Sequence, residues 1–373
     1  MKIGFIEDTP LRGGTQIWVI EATRDFIAKG EEVAVIAPEG SYVANLCAEA
    51  GAAIHTYDWD DIAVHPEKYK NAWTEGLRGM DVAVCTVHPP RGDFHCSMFA
   101  GECIKDAGLD TILSPKTGSI VPWYLREYYQ PDPDVKTHVI CITNFTRQYL
   151  IDVYKLPADM IELVYQGTEV NRFTSTQETR EEAVVRYGLP DNAGPILGSI
   201  GTLENRKGQI ILLQAVKRIL DAGKLPDIHI MFVGEGPDEA MLKAVTDVYG
   251  LGEHVSFFSF TNEPNYVFER IDILALPSLY KEGLPNVLLE AMSMKLPVIS
   301  TKLAGIPEVV FDGETGYLTD PGNIEQFSDA IETVWESREA CMRMGENARK
   351  LMEEKMDKKN QFDAFLQFFH RIA

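Results

Sequence analysis

Residues 277–307 read PSLYKEGLPNVLLEAMSMKLPVISTKLAGIP and hold the densest group of polar and conformationally special residues in the sequence. Glu282 ends a predicted loop, Gly283 leaves the backbone accessible, and Pro285 suits the first position of a helix. An apolar run at 298–300 then predicts a buried strand. A loop, a helix and a strand in this order are typical of an α/β fold.

The helix expected after Pro285 carries two kinds of candidate ligand contact. The N–H groups of Asn286 and Val287 would lie at its N-terminus, where unpaired donors and the helix dipole favour a phosphate. Glu290 lies further along, where its carboxylate could accept two hydrogen bonds from a cis-diol such as ribose. The alternative is that Glu282 and Glu290 are solvated helix charges, as most glutamates are.

Outward from this stretch, apolar runs alternate with helical segments along the chain. Runs such as 33–37 (VAVIA) are continuously apolar, as expected of parallel strands covered on both faces. Strands separated by helices imply βαβ units and parallel sheets. The expected strands are 2–6, 33–37, 52–57, 82–86, 111–114 and 138–142 in a first series, and 196–200, 228–233, 255–258, 273–276 and 298–300 in a second.

A charged stretch with Pro and Gly at 174–194 separates the two series. The expected fold is α/β, with two parallel-sheet domains facing across a cleft, because ligands bind such sheets outside the carboxyl ends of the strands. The segment 359–373 has an apolar helical face and is expected to cross back to the first domain. The predicted domains are 1–170 with 357–373, and 171–356.

Composition excludes several classes of protein. The 373 residues are 45% hydrophobic and 24% charged, which is ordinary for a globular protein. With 56 acidic and 35 basic residues the net charge is −21, which argues against nucleic-acid binding and stable membrane association. Six scattered cysteines without a CxxC, and no apolar run near the roughly 18 residues of a membrane span, favour a cytoplasmic location.

A metal site is not expected. His88, His95, Cys96 and Cys103 lie close in sequence, but their spacing fits no zinc signature, so they are interpreted as packing and surface residues. No DxD pair follows an expected strand.

The segment 201–208 (GTLENRKG) follows the first strand of the second series. Arg206 and Lys207 are unusual at a strand-to-helix turn of so acidic a chain. A departing diphosphate needs such cations, and each charge-assisted hydrogen bond contributes about 1.5–3 kcal/mol. The alternative is a solvated basic pair.

Two further glycine loops follow strands. In 234–239 (GEGPDE), Glu239 replaces the third glycine of the dinucleotide fingerprint and Pro237 suits a helix start, so NAD binding is not predicted. Gly234 and Gly236 could let backbone approach a nucleotide or could form a tight turn. The other loop, 12–16 (RGGTQ), precedes an expected helix at 16–29; its glycines could meet a phosphate or sugar, or be turn residues.

These motifs resemble family 4 retaining glycosyltransferases, which have the two-Rossmann architecture called GT-B. The resemblance covers nearly the whole chain and is strongest over 257–320. Glu282 and Glu290 match the E-x7-E pair of the family, which implies donor-sugar contact for Glu282 and ribose contact for Glu290. Lys207 matches the diphosphate lysine, with Arg206 assisting.

The chain departs from the family pattern at two places. Thr202 stands where members often have arginine, and 114–118 (SPKTG) lacks the histidine that many carry after the fifth strand. Lys116 or Thr117 could face the transferred sugar instead, with His88 as a weaker substitute. The resemblance implies catalytic roles for Glu282, Lys207, Arg206 and Lys116; donor contacts for Glu290, Gly14, Thr202, Gly234, Gly236, Gly283, Leu284, Pro285, Asn286 and Val287; and acceptor contacts for Gly13, Thr15, Gln16, His88 and Thr117.

The resemblance implies retaining transfer of a hexosyl unit from a nucleotide-diphosphate sugar to an acceptor hydroxyl, with the donor phosphate accepting the proton. Neither a metal nor a cofactor beyond this co-substrate is needed. A UDP-hexose is the first donor to expect, because of its frequency in the family. A soluble small-molecule or glycan acceptor is favoured because residues 1–165 carry 14 basic and 24 acidic residues.

The alternatives are a GT-B sugar-nucleotide epimerase, for which no carboxylate–histidine cluster is evident, and a non-catalytic sugar-nucleotide-binding subunit. The oligomeric state is not predicted.

Overall fold

The chain forms two compact α/β units. The computed structural model describes residues 1–118, 124–190 and 193–373. Unit 1 comprises Met1–Tyr165 with Asn360–Ala373, and unit 2 comprises Gln166–Lys359.

Unit 1 is built on a seven-stranded parallel sheet in the order β3-β2-β1-β4-β5-β6-β7. Because β1 pairs with β4 and β4 with β5, the carboxyl ends of these three strands lie side by side at one edge. The strands are β1 (Lys2–Ile6), β2 (Glu32–Pro38), β3 (Ala53–Tyr57), β4 (Val82–Thr86), β5 (Ile112–Thr117), β6 (Val139–Cys141) and β7 (Ile161–Leu163).

Helices cover the sheet of unit 1, and the last of them confirms the expected return of the chain end. The rings of Phe365 and Trp18 lie 5.0 Å apart, and those of Phe369 and Phe26 lie 6.2 Å apart. All four side chains are buried in one core cluster. The helices are α1 (Gly14–Ala28), α2 (Tyr42–Glu49), α3 (Trp59–Ile62), α4 (Lys70–Leu77), α5 (Cys96–Asp106), α6 (Asn144–Asp152) and, at the chain end, α14 (Lys358–Ile372).

Unit 2 is built on a six-stranded parallel sheet in the order β10-β9-β8-β11-β12-β13. The central strand β8 pairs with both β9 and β11, so the loops that follow these three strands are neighbours. The strands are β8 (Ile196–Ile200), β9 (His229–Val233), β10 (Val255–Phe258), β11 (Ile273–Leu276), β12 (Val298–Thr301) and β13 (Gly316–Thr319). The two parallel sheets confirm the fold class predicted from the apolar runs.

The stretch between the two strand series contains a helix that the sequence analysis did not predict. Its start is fixed by a capping box in which Thr176 and Thr179 bond to each other's backbone N–H. The helices of unit 2 are α7 (Gln177–Arg186), α8 (Gln209–Asp221), α9 (Glu239–Val248), α10 (Pro264–Phe268), α11 (Asn286–Ser293), α12 (Ile324–Glu336) and α13 (Arg338–Lys355).

Three predicted helix starts are displaced by local backbone geometry. Pro285 is the N-cap of α11, with ψ 130°, so the helix begins one residue later than predicted. The sequence predicts a helix over 207–222, but Gly208 has φ 68° and is the N-cap of α8, so this helix begins at Gln209. Pro237 precedes the N-cap Asp238 of α9 and is not a helical residue.

Two elements of unit 1 extend beyond their predicted limits. Strand β5 runs through Pro115 to Thr117, although a proline usually ends a central strand, because its pairing with β4 continues to Lys116. Helix α1 begins at Gly14 rather than at 16, since Gly13 has an extended backbone and its carbonyl accepts the first helical hydrogen bond. None of the described helices combines the length and apolar character needed to cross a membrane.

Candidate functional site

The carboxylate of Glu282 lies within hydrogen-bond distance of the two predicted cations of unit 2, Lys207 and Arg206. Lys207 Nζ donates to Oε1 of Glu282 at 2.6 Å, and Arg206 Nη1 lies 3.4 Å from the same oxygen. The hydroxyl of Ser278 also donates to this oxygen, at 3.0 Å. The Glu282 side chain is only 6% exposed, whereas those of Lys207 and Arg206 are 18% and 27% exposed. The carboxylate is therefore held from inside the protein while the two cations reach the surface.

Backbone contacts between the loops after β8 and β11 produce this arrangement. The N–H of Leu279 donates to the carbonyl of Arg206 at 2.8 Å. A Cβ atom on Gly208 would lie 2.0 Å from the carbonyl oxygen of Pro277, so only glycine allows the two loops to approach this closely. The approach brings the basic pair of one loop to the glutamate of the other.

The environment of Glu282 leaves one of its oxygens for a ligand. Oε1 takes all three hydrogen bonds, and no residue in the described ranges bonds to Oε2. The preceding residue, Lys281, has φ 57°, a left-handed conformation that costs a non-glycine residue about 1–2 kcal/mol. Strained backbone of this kind is common at functional sites.

Helix α11 starts beside this cluster. No side chain caps its first turn within the described part of the chain. The side chain of Asn286 accepts a hydrogen bond at 2.7 Å from Gln166, while Val287 and Glu290 are half-buried. Leu284 is 4% exposed and packs inside the unit. The first turn of α11 and Glu290 thus follow Glu282 and Gly283 closely along one continuous segment.

The glycines after β9 are explained by packing against the loop after β8. A Cβ atom on Gly236 would lie 2.2 Å from the carbonyl oxygen of Leu203, and one on Gly234 would lie 2.1 Å from that of Gly201. These contacts require glycine without any ligand. Thr202 lies between them with an exposed side chain, and its carbonyl accepts a hydrogen bond at 2.9 Å from the side chain of Gln209.

In unit 1, the carboxylate of Glu7 contacts two predicted site residues, Gln16 and His88. Glu7 itself was not predicted as a site residue. Oε1 of Glu7, which directly follows β1, lies 2.5 Å from Nε2 of His88 and accepts from Nε2 of Gln16 at 2.9 Å. The Glu7 side chain is fully buried, and its Oε2 has no partner among the described residues. Its position at the carboxyl edge of the sheet was the signal that could have identified it.

Burial and charge alter the titration of this cluster. Burial opposes charge on His88, but the carboxylates of Glu7 and then Asp8 outweigh it and raise the pKa of His88 above its ordinary value. Burial lowers the pKa of Lys116 to about 8, against the attraction of Glu7. The Lys116 ammonium lies 4.1 Å from the ring centroid of Trp18, a cation–π contact.

A second buried carboxylate supports the same edge of the sheet. Asp8 accepts hydrogen bonds at 2.6 Å from Nη2 of Arg91 and at 2.9 Å from the hydroxyl of Tyr57. Burial raises the pKa of Asp8, although Arg91 opposes that rise. Arg91 is stacked 4.4 Å from the ring centroid of Trp59. These contacts fix the loops after β1 and β4 next to each other.

The other predicted site residues of unit 1 lie at the start of α1 or in the protein interior. Gly13 is the N-cap of α1, while Gly14 is exposed and Thr15 half-buried in its first turn. The hydroxyl of Thr117 lies 3.4 Å from that of Tyr129, and Thr117 is 1% exposed. Thr117 is therefore part of the interior and is not joined to Glu7 by any described hydrogen bond.

The clustered histidine and cysteines after β4 act as packing residues. The ring of His95 is stacked 3.7 Å from that of Tyr128, and burial lowers the pKa of His95 to about 4. The thiols of Cys96 and Cys85 are buried and lie 3.3 Å apart. Within the described ranges, no three His, Cys, Asp or Glu side chains are grouped as a metal site would require.

One protein-family model matches part of the chain. The family model described as "Glycosyl transferases group 1" matches residues 181–351, which include both glutamates and the basic pair. The matched segment, which lies within unit 2, belongs to this family. The resemblance to family 4 glycosyltransferases drawn from the motifs is confirmed.

Two proteins that are named as transferases are similar in sequence to this chain. The chain is 28% identical over 217 residues to an alpha-D-kanosaminyltransferase of Streptomyces kanamyceticus, covering 57% of this chain and 55% of the relative. It is also 28% identical over 246 residues to a GDP-mannose-dependent alpha-(1-6)-phosphatidylinositol monomannoside mannosyltransferase of Mycolicibacterium smegmatis, covering 62% of each. The match spans less than two thirds of the length of either relative.

Solved structures of similar proteins share the whole fold. The Anabaena protein HepE, solved in complex with UDP, superposes with a TM-score of 0.83 at 18% identity over 100% of both chains. A glycosyltransferase from Rickettsia africae superposes with a TM-score of 0.81 at 17% identity, covering 100% of this chain and 98% of that one. These likenesses establish the GT-B fold of the chain.

Proposed function

We propose that the protein is a retaining glycosyltransferase that moves a hexosyl unit from a nucleotide-diphosphate sugar, in the first place a UDP-hexose, to a hydroxyl of a soluble acceptor. The observation that carries the proposal is the convergence of Lys207 and Arg206 on Glu282, followed at once by Gly283 and the uncapped helix α11. A group of this kind supplies both positive charge and backbone donors to one anion.

The cations of unit 2 suit a departing diphosphate. An ammonium has three donors, and Lys207 uses one of them on Glu282. Arg206 takes the role that the missing arginine at Thr202 would have had, since its guanidinium reaches the same carboxylate. As the sugar–phosphate bond breaks, these charges stabilise the growing negative charge; one such preorganised donor contributes about 3–4 kcal/mol.

The two glutamates have separate roles in this proposal. Oε2 of Glu282 accepts from hydroxyls of the donor sugar, because Oε1 is already engaged by three donors. Glu290, half-buried on α11, accepts from the two hydroxyls of the ribose. The first-turn amides of Asn286 and Val287 bind a phosphate oxygen.

The acceptor is assigned to unit 1. Gly13 and Thr15 supply N–H groups to the acceptor at the start of α1, where Gly14 between them faces the donor, while Gln16 and His88 share the carboxylate of Glu7. Lys116 places its ammonium beside the same cluster. In retaining transfer of the kind proposed, a donor phosphate oxygen takes the proton of the acceptor hydroxyl, so none of these residues need act as a nucleophile.

A panel of nucleotide sugars tests the donor. UDP-, GDP- and ADP-sugars are added to the full chain, and the melting temperature and the release of nucleoside diphosphate are both measured. We expect a rise in melting temperature with UDP-hexoses and release that increases when acceptors are supplied. The Anabaena relative HepE was solved with UDP-glucose, which makes that donor the first to try. No response to any member of the panel would contradict the proposal.

Two variants separate the proposed chemistry from general damage. Glu282→Ala is expected to retain its fold and lose transfer, and a wild-type rate would remove Glu282 from its role. Glu332→Ala is a matched control, because Glu332 is another lysine-paired glutamate of unit 2, with a side chain 15% exposed. Strong, salt-sensitive binding of the wild type to anionic vesicles would contradict the soluble acceptor.

The Glu7–His88 pair favours one second candidate, a sugar-nucleotide epimerase. No carboxylate–histidine cluster is evident from the sequence, but Glu7 and His88, which are 81 positions apart in sequence, lie 2.5 Å apart in space. Incubation with UDP-glucose or UDP-N-acetylglucosamine alone distinguishes the two. An epimer formed without acceptor supports the epimerase and contradicts the transferase.

A further inference from the structure

We propose that Glu7 is a positioning residue: its carboxylate holds the imidazole of His88 doubly protonated and in one orientation, so that the second ring N–H donates to an oxygen of a bound substrate. The inference rests on the proposed function, since it assigns a task to the residues that unit 1 presents to the acceptor. Glu7 itself need not touch the substrate.

Hydrogen bonding fixes one nitrogen of the His88 ring. An ionised carboxylate can only accept, so Nε2 of His88, 2.5 Å from Oε1 of Glu7, must carry the hydrogen. Gln16 donates its amide to the same Oε1 at 2.9 Å. This shared oxygen limits the directions from which the imidazole can approach, and it defines the orientation of the ring.

Charge balance favours a proton on the second nitrogen as well. Glu7 is fully buried, and a buried carboxylate is stable only beside a compensating positive charge. Gln16 is neutral, and Oε2 of Glu7 has no partner among the described residues. His88 is therefore the one described cationic side chain in hydrogen-bond contact with this carboxylate.

Titratable groups face His88 from several neighbouring elements. Asp8 at the end of β1 favours the charged imidazole, whereas Lys116 on β5 opposes it. His95, before α5, binds the carbonyl of His88 through Nε2, and burial lowers the pKa of His95 to about 4, so it is neutral near pH 7. Glu7 is the neighbour that both touches the ring and favours its charge.

The remaining ring nitrogen of His88, Nδ1, is the atom that would contact the substrate. No described residue hydrogen-bonds to Nδ1 of His88, and the side chain is 19% exposed. When doubly protonated, the ring presents Nδ1–H as a donor with no accepting capacity. Its partner must be an oxygen with a lone pair, such as a hydroxyl of the acceptor or of the transferred sugar.

The first measurement is the titration of His88 in the ligand-free full chain. Histidine-labelled wild type and Glu7→Gln are titrated by NMR, with the His88 signal assigned by its loss in His88→Asn. We expect the midpoint of His88 to lie above 6.5 in the wild type and to fall by about 1–3 pH units in Glu7→Gln. Asp8→Asn is the matched control, since it removes an adjacent buried carboxylate that does not bond to His88, and a smaller shift is expected.

The second measurement follows nucleoside diphosphate release with UDP-glucose against pH. If the charged imidazole is needed, release falls as pH rises through the midpoint of His88, and in Glu7→Gln this fall moves to lower pH by the NMR shift. Lys116→Arg identifies any second fall due to the lysine. A higher KM for one substrate in Glu7→Gln shows whether the sugar donor or the acceptor supplies the oxygen.

Two results would overturn the inference. One is a His88 midpoint that is equal in wild type and Glu7→Gln, which would leave Glu7 a purely structural residue even if the variant melts earlier. The other is a shifted midpoint with an unshifted rate profile. Because the titration is read without ligand, a wild type that turns over no sugar nucleotide would defeat the proposed function, while the midpoints would still show whether Glu7 controls the charge of His88.

Discussion

The ammonium of Lys207 lies 2.6 Å from the Oε1 atom of Glu282, although the two residues follow different strands of the sheet and stand 75 positions apart in sequence. The pair is partly exposed on its cationic side and shielded on its anionic side. Because the carboxylate is shielded from solvent, the attraction within the pair is largely offset by the cost of burying charge, and the pair is weak evidence for a contribution to folding stability. In the proposed function, this arrangement serves to bind an anion that shares the lysine with Glu282.

Replacement of Lys207 by Met should therefore affect turnover more than stability. We expect nucleoside diphosphate release to fall about 100- to 1,000-fold, as for loss of one preorganised charge-stabilising donor. Release is measured at saturating donor, with urea unfolding as a check on the fold. Lys224→Met is the matched control, because Lys224 forms the same kind of pair with Glu332 at 2.5 Å. Equal effects of the two substitutions would refute a special role for Lys207.

Gly236 should not tolerate a methyl group. A Cβ atom there would lie 2.2 Å from the carbonyl oxygen of Leu203, in a backbone contact that cannot yield easily. We expect Gly236→Ala to lower the free energy of unfolding by about 1–3 kcal/mol and to weaken UDP binding by displacing the loop after β8. Both are measured on the purified variant, by urea unfolding and by calorimetric titration with UDP.

The control for Gly236 is another glycine of unit 2. A Cβ atom on Gly252 would meet nothing within 4 Å. Gly252→Ala is therefore expected to be neutral, or stabilising by about 0.4–1 kcal/mol through the unfolded state. If both variants unfolded at the same urea concentration, the close contact of the two glycine loops would not be a constraint.

The sequence predicted the sheets better than it predicted the cluster in unit 1. The continuous apolar run 33–37 lies in β2, a strand that is buried throughout except at Glu32, and such a run is typical of parallel strands covered on both faces. Lys207 and Glu282 were each selected through a motif, but the ion pair between them was not predicted. Glu7 has no such motif, because an acidic residue after a strand is usually solvated. The proposed role of Glu7 depends on β1 lying beside β4, because this pairing brings His88 close to Glu7. No local sequence pattern predicts this strand order.

The apolar face of the last helix can be tested through Phe365. Its side chain is fully buried, 5.0 Å from the ring of Trp18 and 5.8 Å from that of Phe369. We expect Phe365→Ala to lower the free energy of unfolding by about 3–5 kcal/mol, by lost transfer energy and a cavity in the core of unit 1. Urea unfolding provides the measurement. Phe311→Ala, at a ring 39% exposed, should cost about 1 kcal/mol or less; a similar cost for both would contradict the packing.

The buried ammonium of Lys116 should make the stability of the folded protein depend on pH. Burial lowers its pKa to about 8 in the folded protein, against about 10.4 in an unfolded chain. Below pH 8 both states carry the proton, and folding bears the full cost of a buried charge. Between pH 8 and 10.4 the unfolded state binds more protons, so the stability of the wild type rises with pH across this window. Lys116→Met has no proton to lose and should lack the rise.

We accordingly expect Lys116→Met to be more stable than the wild type at pH 7, by on the order of 3 kcal/mol, with this difference decreasing as the pH rises towards 10.4. Turnover should fall in the same variant, because a charge kept at such a cost is retained for function. Lys243→Met is the control: this lysine also lies over an aromatic ring, 5.4 Å from that of Phe257, but is exposed. As a substitution of an exposed side chain, it should change the free energy of unfolding by about 0.5 kcal/mol or less. A Lys116→Met protein that is less stable than the wild type at pH 7 would show that the cation–π contact with Trp18 outweighs the cost of burying the ammonium.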